Sequence, residues 1–244
     1  MRAIALVDLD DTLFQTLRKC PPGLAETALT PLGYAVDGSP LSYATPSQMA
    51  LIGWLCETTR FVPVTARGLD ALRRVRIPFQ AAVCAHGGVV LGDDGAIDAQ
   101  WAAHAAAASH AIAPDLERLA GSLSAAAPTL RVRVLTEGET PLYVLAKHPD
   151  ADDVALHAAV DGVADQVPPG WTIHRNGNNV AIMPPWLGKQ HAVAHLLPRL
   201  RAAHPDVPVI GIGDSITDAP FMAQCDFAMV PRGSQLALAT GLLA

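Results

Sequence analysis

Aromatic side chains are scarce here: only 5% of the 244 residues are Phe, Trp or Tyr. Half of the residues are nevertheless hydrophobic, so Ala, Leu and Val must build the core. Basic residues are also few. Seventeen Lys and Arg face 23 Asp and Glu, a formal net charge of -6. That balance argues against the basic stripe a nucleic-acid surface needs. Four cysteines, Cys20, Cys56, Cys84 and Cys225, are scattered and form no CxxC pair, which argues against structural zinc and dithiol chemistry. Reduced thiols in a cytoplasmic protein are the expectation. Long apolar runs are missing too. The one near the N-terminus, Ala3 to Val7, is too short for a signal peptide, and no stretch suits a membrane span.

That short run leads into Asp8-Leu9-Asp10-Asp11-Thr12. It reads as a buried strand delivering acids at its C-terminal end, where open α/β sheets place ligands. Acids this close repel each other unless positive charge sits among them. A divalent cation is the natural candidate, since hard cations take carboxylate oxygen. Asp8 and Asp10 are two apart, so on an extended backbone they point the same way. One could attack while the other moves a proton. An acidic turn or a helix cap is the plainer alternative.

Residues 15–45 are turn-rich and read as a small flap, with Asp37-Gly38 turning between Leu32–Val36 and Leu41–Ala44. Thr45-Pro46-Ser47 opens a helix over Gln48–Glu57. A strand, Phe61–Val64, ends in Thr65-Ala66-Arg67-Gly68, where a hydroxyl and backbone N–H groups can hold a phosphate oxygen. A third strand, Ala81–Ala85, ends in His86-Gly87-Gly88, and Val89–Leu91 with Asp93-Asp94-Gly95 suggests a hairpin.

The texture then changes. Trp101–Ser124 is an Ala-rich helix with a break near Pro114; Leu130–Leu135 and Leu142–Lys147 alternate as strands. Asp152–Val167 is a helix, and Trp171–His174 and Asn179–Met183 are two further strands. This order makes a separate α+β unit of about 100 residues. A helix from Leu187-Gly188-Lys189 to about Ala203 follows, then a strand at Val207–Ile212 ending in Gly213-Asp214-Ser215-Ile216-Thr217-Asp218, and a last strand at Phe227–Val230. The fold class expected is α/β: a doubly wound, Rossmann-like parallel sheet over 1–85 and 186–244, with an α+β cap inserted at 86–185.

Four polar clusters stand at strand ends or a helix start: Asp8/Asp10/Thr12, Thr65/Arg67, Lys189, and Asp214/Asp218. Each alone has an ordinary explanation as a cap or a surface charge. Occurring together in this order, they make the sequence resemble the haloacid dehalogenase-like superfamily of phosphohydrolases. Asp-x-Asp-Asp-Thr at 8–12 matches its first motif, Thr65 its second, Lys189 its third, and Gly-Asp-Ser-x-x-Asp at 213–218 its fourth. The position of the inserted unit, between the second and third motifs, resembles the subgroup that includes sucrose-phosphate, trehalose-phosphate and mannosylglycerate-type phosphatases and phosphomannomutases. Two departures stand out: the long spacing from Asp8 to Thr65, and His86 where many relatives carry Asn before Gly.

The resemblance implies Mg²⁺-dependent hydrolysis of a phosphate monoester, with a sugar phosphate as substrate class. Asp8 would be the nucleophile and Asp10 the acid–base group. Asp8, the Asp10 carbonyl and Asp214 would hold the metal. Thr65 and Ala66 N–H would hold the phosphoryl oxygens, with Lys189 adding charge and Thr12, Arg67, Ser215 and Asp218 in support. A phosphomutase of the same architecture is the alternative. A non-catalytic regulator is disfavoured because all the acids are present. The partner expected is a small phosphate ester, with no nucleic acid and no membrane.

Specificity is expected in the cap. Alternation puts Arg131 and Arg133 on one strand face, and Tyr143 with Lys147, His174 and Asn179 on matching faces. These residues and His86 are the candidate substrate-binding set. The plainer alternative is a solvated sheet face. His191 and His195 lie i, i+4 on one helix, but without the glutamate of HExxH they read as packing or surface.

Overall fold

A computed structural model describes residues 1–241. The chain divides into two compact units, Met1–Trp101 with the chain from Lys189 onward, and Ala102–Gly188.

The first unit is built on a parallel sheet. β1 (Ala3–Val7) is buried at every residue. After it come two 3-10 turns and an antiparallel hairpin, β2 (Thr30–Tyr34) and β3 (Pro40–Ala44). Helix α1 (Pro46–Thr58) starts with a capping box: the Thr45 hydroxyl accepts from Gln48 N–H, and the Gln48 side chain accepts from Thr45 N–H. β4 (Thr59–Pro63), the short α2 (Leu69–Arg73), β5 (Ala82–Cys84) and β6 (Val89–Leu91) follow. The chain returns to this unit with α5 (Lys189–Ala203), β11 (Val209–Ile212), α6 (Ala219–Met222), β12 (Phe227–Met229) and α7 (Gln235–Thr240).

The sheet runs β12-β11-β1-β4, all parallel, and a parallel bridge from Val64 to Val83 carries it on to β5. Its two faces bury different residues. Ala5, Val7 and Phe61 pack with Ile52 and Leu55 of α1. Ile4, Leu6 and Val62 pack with Val193, Leu196 and Leu200 of α5 and with Phe221. Alternate residues of one strand therefore go to opposite helix layers, as a doubly wound sheet requires.

The second unit holds one long helix, α3 (Ala99–Ala126), from Ala102 onward, then β7 (Arg131–Glu137), β8 (Thr140–Lys147), α4 (Asp153–Asp161), β9 (Thr172–Arg175) and β10 (Val180–Met183). Its antiparallel sheet has the order β7-β8-β10-β9. Leu116, Leu119 and Leu123 make a buried stripe on α3, packed with Val144 and Ile182 or with Leu156 and Val160 of α4.

Several sequence expectations are corrected. Helix α3 does not break at Pro114. A proline forfeits one ladder bond and crowds the preceding turn, but burial of the leucine stripe on its C-terminal side keeps the helix continuous. Residues 86–101 fall in the first unit rather than the inserted one. The reason is pairing and packing: β6 pairs with β5, and Val90 and Trp101 join the core of the parallel sheet. The helix expected over Asp152–Val167 ends at Asp161, with a separate 3-10 turn at Ala164–Gln166. Asn179 lies in the turn before β10, where its N–H and carbonyl pair with Asn176.

Candidate active site

Strand register brings the polar clusters to one edge of the sheet. Val7 pairs with Pro63 on one side and Ile212 on the other. The residues that follow these strand ends are Asp8, Val64-Thr65 and Gly213-Asp214.

Asp8 is buried. Its Oδ1 accepts from Lys189 Nζ at 2.6 Å, and its Oδ2 accepts from the Thr12 hydroxyl at 3.0 Å. Lys189, the first residue of α5, also donates to Asp218 Oδ1 at 2.6 Å. Asp218 is fully enclosed, and its Oδ2 accepts from Ser215 N–H at 3.0 Å and the Ser215 hydroxyl at 2.7 Å. Gly213 is needed for this approach, since a Cβ there would stand 2.5 Å from Asp218 Cβ. The spacing Gly-Asp-Ser-x-x-Asp thus folds its second acid back over its glycine.

The electrostatics are unbalanced. Burial pushes the Asp8 carboxyl well above its usual value; Lys189 pulls the other way, while Asp218 and Asp214 add to the rise. Asp214 is pushed up to about 6, by burial first and then by Asp218 and Asp11. Burial would lower the Lys189 ammonium, but Asp8 and Asp218 outweigh it and hold it above its ordinary value. The Thr12 hydroxyl lies 3.0 Å from Asp8 Oδ2 and 3.2 Å from Asp214 Oδ1. Its one hydrogen can serve only one of them at a time. Carboxylate oxygens of Asp8, Asp214 and Asp218 lie within 4.8 Å of one another. Three acids around one lysine, all offering oxygen, fit a hard divalent cation.

Asp10 is engaged differently. Both of its carboxylate oxygens accept from Arg67, Oδ2 from Nε at 2.7 Å and Oδ1 from Nη2 at 2.6 Å. Arg67 Nη2 also donates to the Ser42 hydroxyl at 3.0 Å, and its guanidinium lies 5.0 Å from the centre of the Phe14 ring. Thr65, fully buried, accepts from Arg67 N–H on its hydroxyl at 3.1 Å, with Ala66 between them. Beside this loop, Ala85, His86 and Gly87 all have positive φ. Ala85 N–H donates to the Arg67 carbonyl and His86 N–H to the Thr65 carbonyl. Left-handed backbone at non-glycine residues is strained, so His86 is held in a conformation its sequence alone does not favour. Asp11 also has positive φ, and its carboxylate pairs with Lys19 at 2.5 Å.

In the second unit, Arg131, Arg133 and Lys147 are exposed on one face of the sheet, and Val132 and Val134 turn to the helix side. By register His174, Leu145 and Arg133 lie in one row across that face. Tyr143 shares the face but is buried, and burial pushes its phenol up. Ala181 and Met183 on that face are buried as well, so it is mixed rather than uniformly polar. Asn179 is exposed in the 176–179 turn.

His195 packs its ring 5.1 Å from that of Trp101 and stands 3.2 Å from Asp98, while His191 is exposed beside Gln190. The pair is not a ligand set. Ser42 and Gly33, against Arg67, are residues the motif pattern does not point to; their only sequence signal is that they are small residues in a hairpin.

No family model matches the chain, and no curated protein matches it. Solved structures do. A trehalose-6-phosphate phosphatase related protein is matched over 96% of this chain and 88% of that one, with TM-score 0.53 and 19% identity. The C-terminal domain of trehalose-6-phosphate phosphatase from C. albicans is matched over 90% and 72%, with TM-score 0.58 and 13% identity. The sucrose-phosphatase of Synechocystis, solved with sucrose and phosphate, is matched over 99% and 87%, with TM-score 0.56 and 16% identity. The chain therefore shares the fold of these structures, an α/β core on a parallel sheet with an inserted α+β unit.

Proposed function

We propose that this protein is a Mg²⁺-dependent hydrolase of phosphate monoesters, with a sugar phosphate as its substrate class. The observation that carries the reading is the buried bridge from Asp8 through Lys189 to Asp218, beside Asp214, at the C-terminal edge of a parallel sheet. The fold shared with sugar-phosphate phosphatases supports it.

Asp8, Asp214 and the main-chain carbonyl of Asp10 would hold the cation. Bound there, it would offset the negative charge of the acids and of the phosphoryl group. The chain's own residues then divide the work. An Asp8 carboxylate oxygen attacks phosphorus, the bond to the leaving alcohol breaks, and Asp10, protonated at the outset, passes its proton to that alcohol's oxygen. An aspartyl-phosphate results. Asp10 next takes a proton from water, the resulting hydroxide attacks phosphorus, and inorganic phosphate leaves Asp8. Thr65 and the Ala66 N–H hold phosphoryl oxygens, and Lys189 keeps positive charge beside the nucleophile. Asp218 and Ser215 fix Lys189, and Thr12 orients Asp8. The exposed cations Arg131, Arg133 and Lys147, with His174, Tyr143, Asn179 and His86, are assigned to the sugar-bearing part of the substrate.

The test is phosphate release from a panel of sugar phosphates, with and without Mg²⁺, with Asp8→Asn as control. Release by the parent protein that needs Mg²⁺ and is lost in the variant supports the reading. No release from any member with Mg²⁺ present, or equal release by the variant, overturns it.

A further inference from the structure

Residues 30–44 form a hairpin whose role the motifs leave open. Its inner side reaches Arg67, which in turn holds Asp10. Ser42, in β3, is almost fully enclosed, and its hydroxyl accepts from Arg67 Nη2 at 3.0 Å. Gly33, in β2, faces the same point: a Cβ there would lie 3.2 Å from Ser42 Oγ and 3.3 Å from Arg67 Nη1. Phe14 closes the guanidinium from another side. Arg67 is thereby held at three points: by a hydroxyl, by an aromatic face, and through its carbonyl by Ala85 N–H at 2.6 Å. So held, it grips both oxygens of Asp10.

We propose that the β2–β3 hairpin is a positioning device for Asp10: Ser42 sets the Arg67 fork, and the fork sets the plane of the Asp10 carboxylate. This rests on the proposed phosphatase chemistry, in which Asp10 moves the proton.

The physical argument has three steps. Asp10's side chain is 41% exposed, and a free carboxylate at that exposure would turn about its side-chain bonds. A planar guanidinium bound to both oxygens removes that freedom, which a single ammonium cannot do. A carboxylate has about four lone-pair sites, and the fork uses two. One remaining site can therefore carry the transferable proton toward a leaving-group oxygen while Arg67 stays in place. Because Arg67 N–H also donates to Thr65 Oγ1, the same residue ties the proposed phosphoryl-holding loop to the proton donor. Arg67 and Ser42 are positioning residues. They act through Asp10.

The experiment is a leaving-group series. Aryl phosphates from p-nitrophenyl phosphate to phenyl phosphate are hydrolysed by the parent protein, Arg67→Lys, Ser42→Ala and Gly33→Ala, each with Mg²⁺. A nitrophenolate leaves without a proton; a phenolate leaves far better with one. If the hairpin positions Asp10, Arg67→Lys loses about tenfold or more additional kcat/KM on phenyl phosphate relative to p-nitrophenyl phosphate, a fraction of the ~10²–10⁴ that a placed acid supplies. Ser42→Ala and Gly33→Ala shift the ratio in the same direction by less. That ratio does not depend on how much of a sample is folded, so a destabilised variant still reports. A uniform loss across the series, with the ratio at its parent value, overturns the inference and leaves the phosphatase reading intact. No turnover of any aryl or sugar phosphate by the parent protein overturns both.

Discussion

Lys189 Nζ stands 2.6 Å from Asp8 Oδ1, and both side chains are buried. The same ammonium holds Asp218 at 2.6 Å. One cation thus satisfies two enclosed carboxylates, and its removal has a calculable consequence. Lys189→Met leaves Asp8 and Asp218 without a bonded counter-charge, which costs about 3–5 kcal/mol for a buried pair. Urea denaturation checks it. Asp8→Asn, in contrast, keeps an oxygen that can accept from Lys189 and removes one buried charge, so stability stays near the parent value. Its phosphatase activity falls below about a thousandth, as expected for loss of a nucleophile. Gly213→Ala destabilises through the 2.5 Å approach of its Cβ to Asp218, by about 1–3 kcal/mol as for overpacking.

Asp10→Asn tests the proton-moving role. Asn retains the shape and one acceptor for Arg67, so melting temperature changes little. Turnover of a sugar phosphate falls by about 10²–10⁴. Near-parent turnover by this variant would remove Asp10 from the acid–base role.

The metal prediction follows from the crowding of Asp8, Asp214 and Asp218. EDTA removes activity and Mg²⁺ restores it. Ca²⁺ restores it poorly, because it takes more ligands in looser geometry. A second readout is independent of turnover. Millimolar Mg²⁺ raises the melting temperature of the inactive Asp8→Asn protein less than that of the parent, and Asp214→Ala abolishes the rise, since ligand binding to the folded state stabilises it by mass action. Full activity in a demetallated sample, or an unchanged Mg²⁺ shift in Asp214→Ala, would contradict the assignment.

The strands were the most legible part of the chain. A fully buried strand shows as an unbroken apolar run, and β1 occupies Ala3–Val7 as that run suggests. Polar residues just after such runs mark the strand ends, so Asp8, Thr65 and Asp214 could be found without coordinates. The start of α5 at Lys189 was legible as well, at Leu187-Gly188-Lys189. What was not legible depends on distant contacts. Whether Pro114 breaks α3 is decided by leucines packing on a sheet. The first boundary of the inserted unit is set by β5–β6 pairing, which follows no local rule. Ser42 meets Arg67 across 25 residues and Asp10 meets it across 57; nothing in the local sequence of a serine or an arginine announces such a partner. Tyr143 alternates with the polar set yet is buried, because alternation assigns a face and not its exposure.

Specificity is expected to lie in the second unit. Arg131 and Arg133 are exposed on β7, across from Lys147 and Leu145 on β8, and His174 continues the row through Ala181. This concentrates three cations on one face of a chain whose net charge is -6. Arg133 also lowers the Lys147 ammonium, second to burial. Cations that repel one another on a sheet face cost stability unless they serve an anion. Under the proposed function this face would serve the polyhydroxylated or anionic part of the substrate, and would also raise the local concentration of an anion. Arg131→Ala or Arg133→Ala is therefore expected to raise KM for the sugar phosphate by about tenfold, the scale of one lost charge-assisted hydrogen bond. Loss of two like-charged neighbours leaves the double variant at least as stable as the parent. KM for p-nitrophenyl phosphate, which has no sugar, changes by less than the KM for the sugar ester in each single variant. Equal shifts for both substrates would assign the arginines to the phosphoryl group instead. A phosphomutase would need such a cluster to hold a second phosphate, so the same variants are assayed for sugar-phosphate isomerisation with a bisphosphate activator. Isomerisation by the parent protein, lost on removing the arginines, would replace hydrolysis as the reaction; phosphate release with no isomerisation keeps the hydrolase assignment.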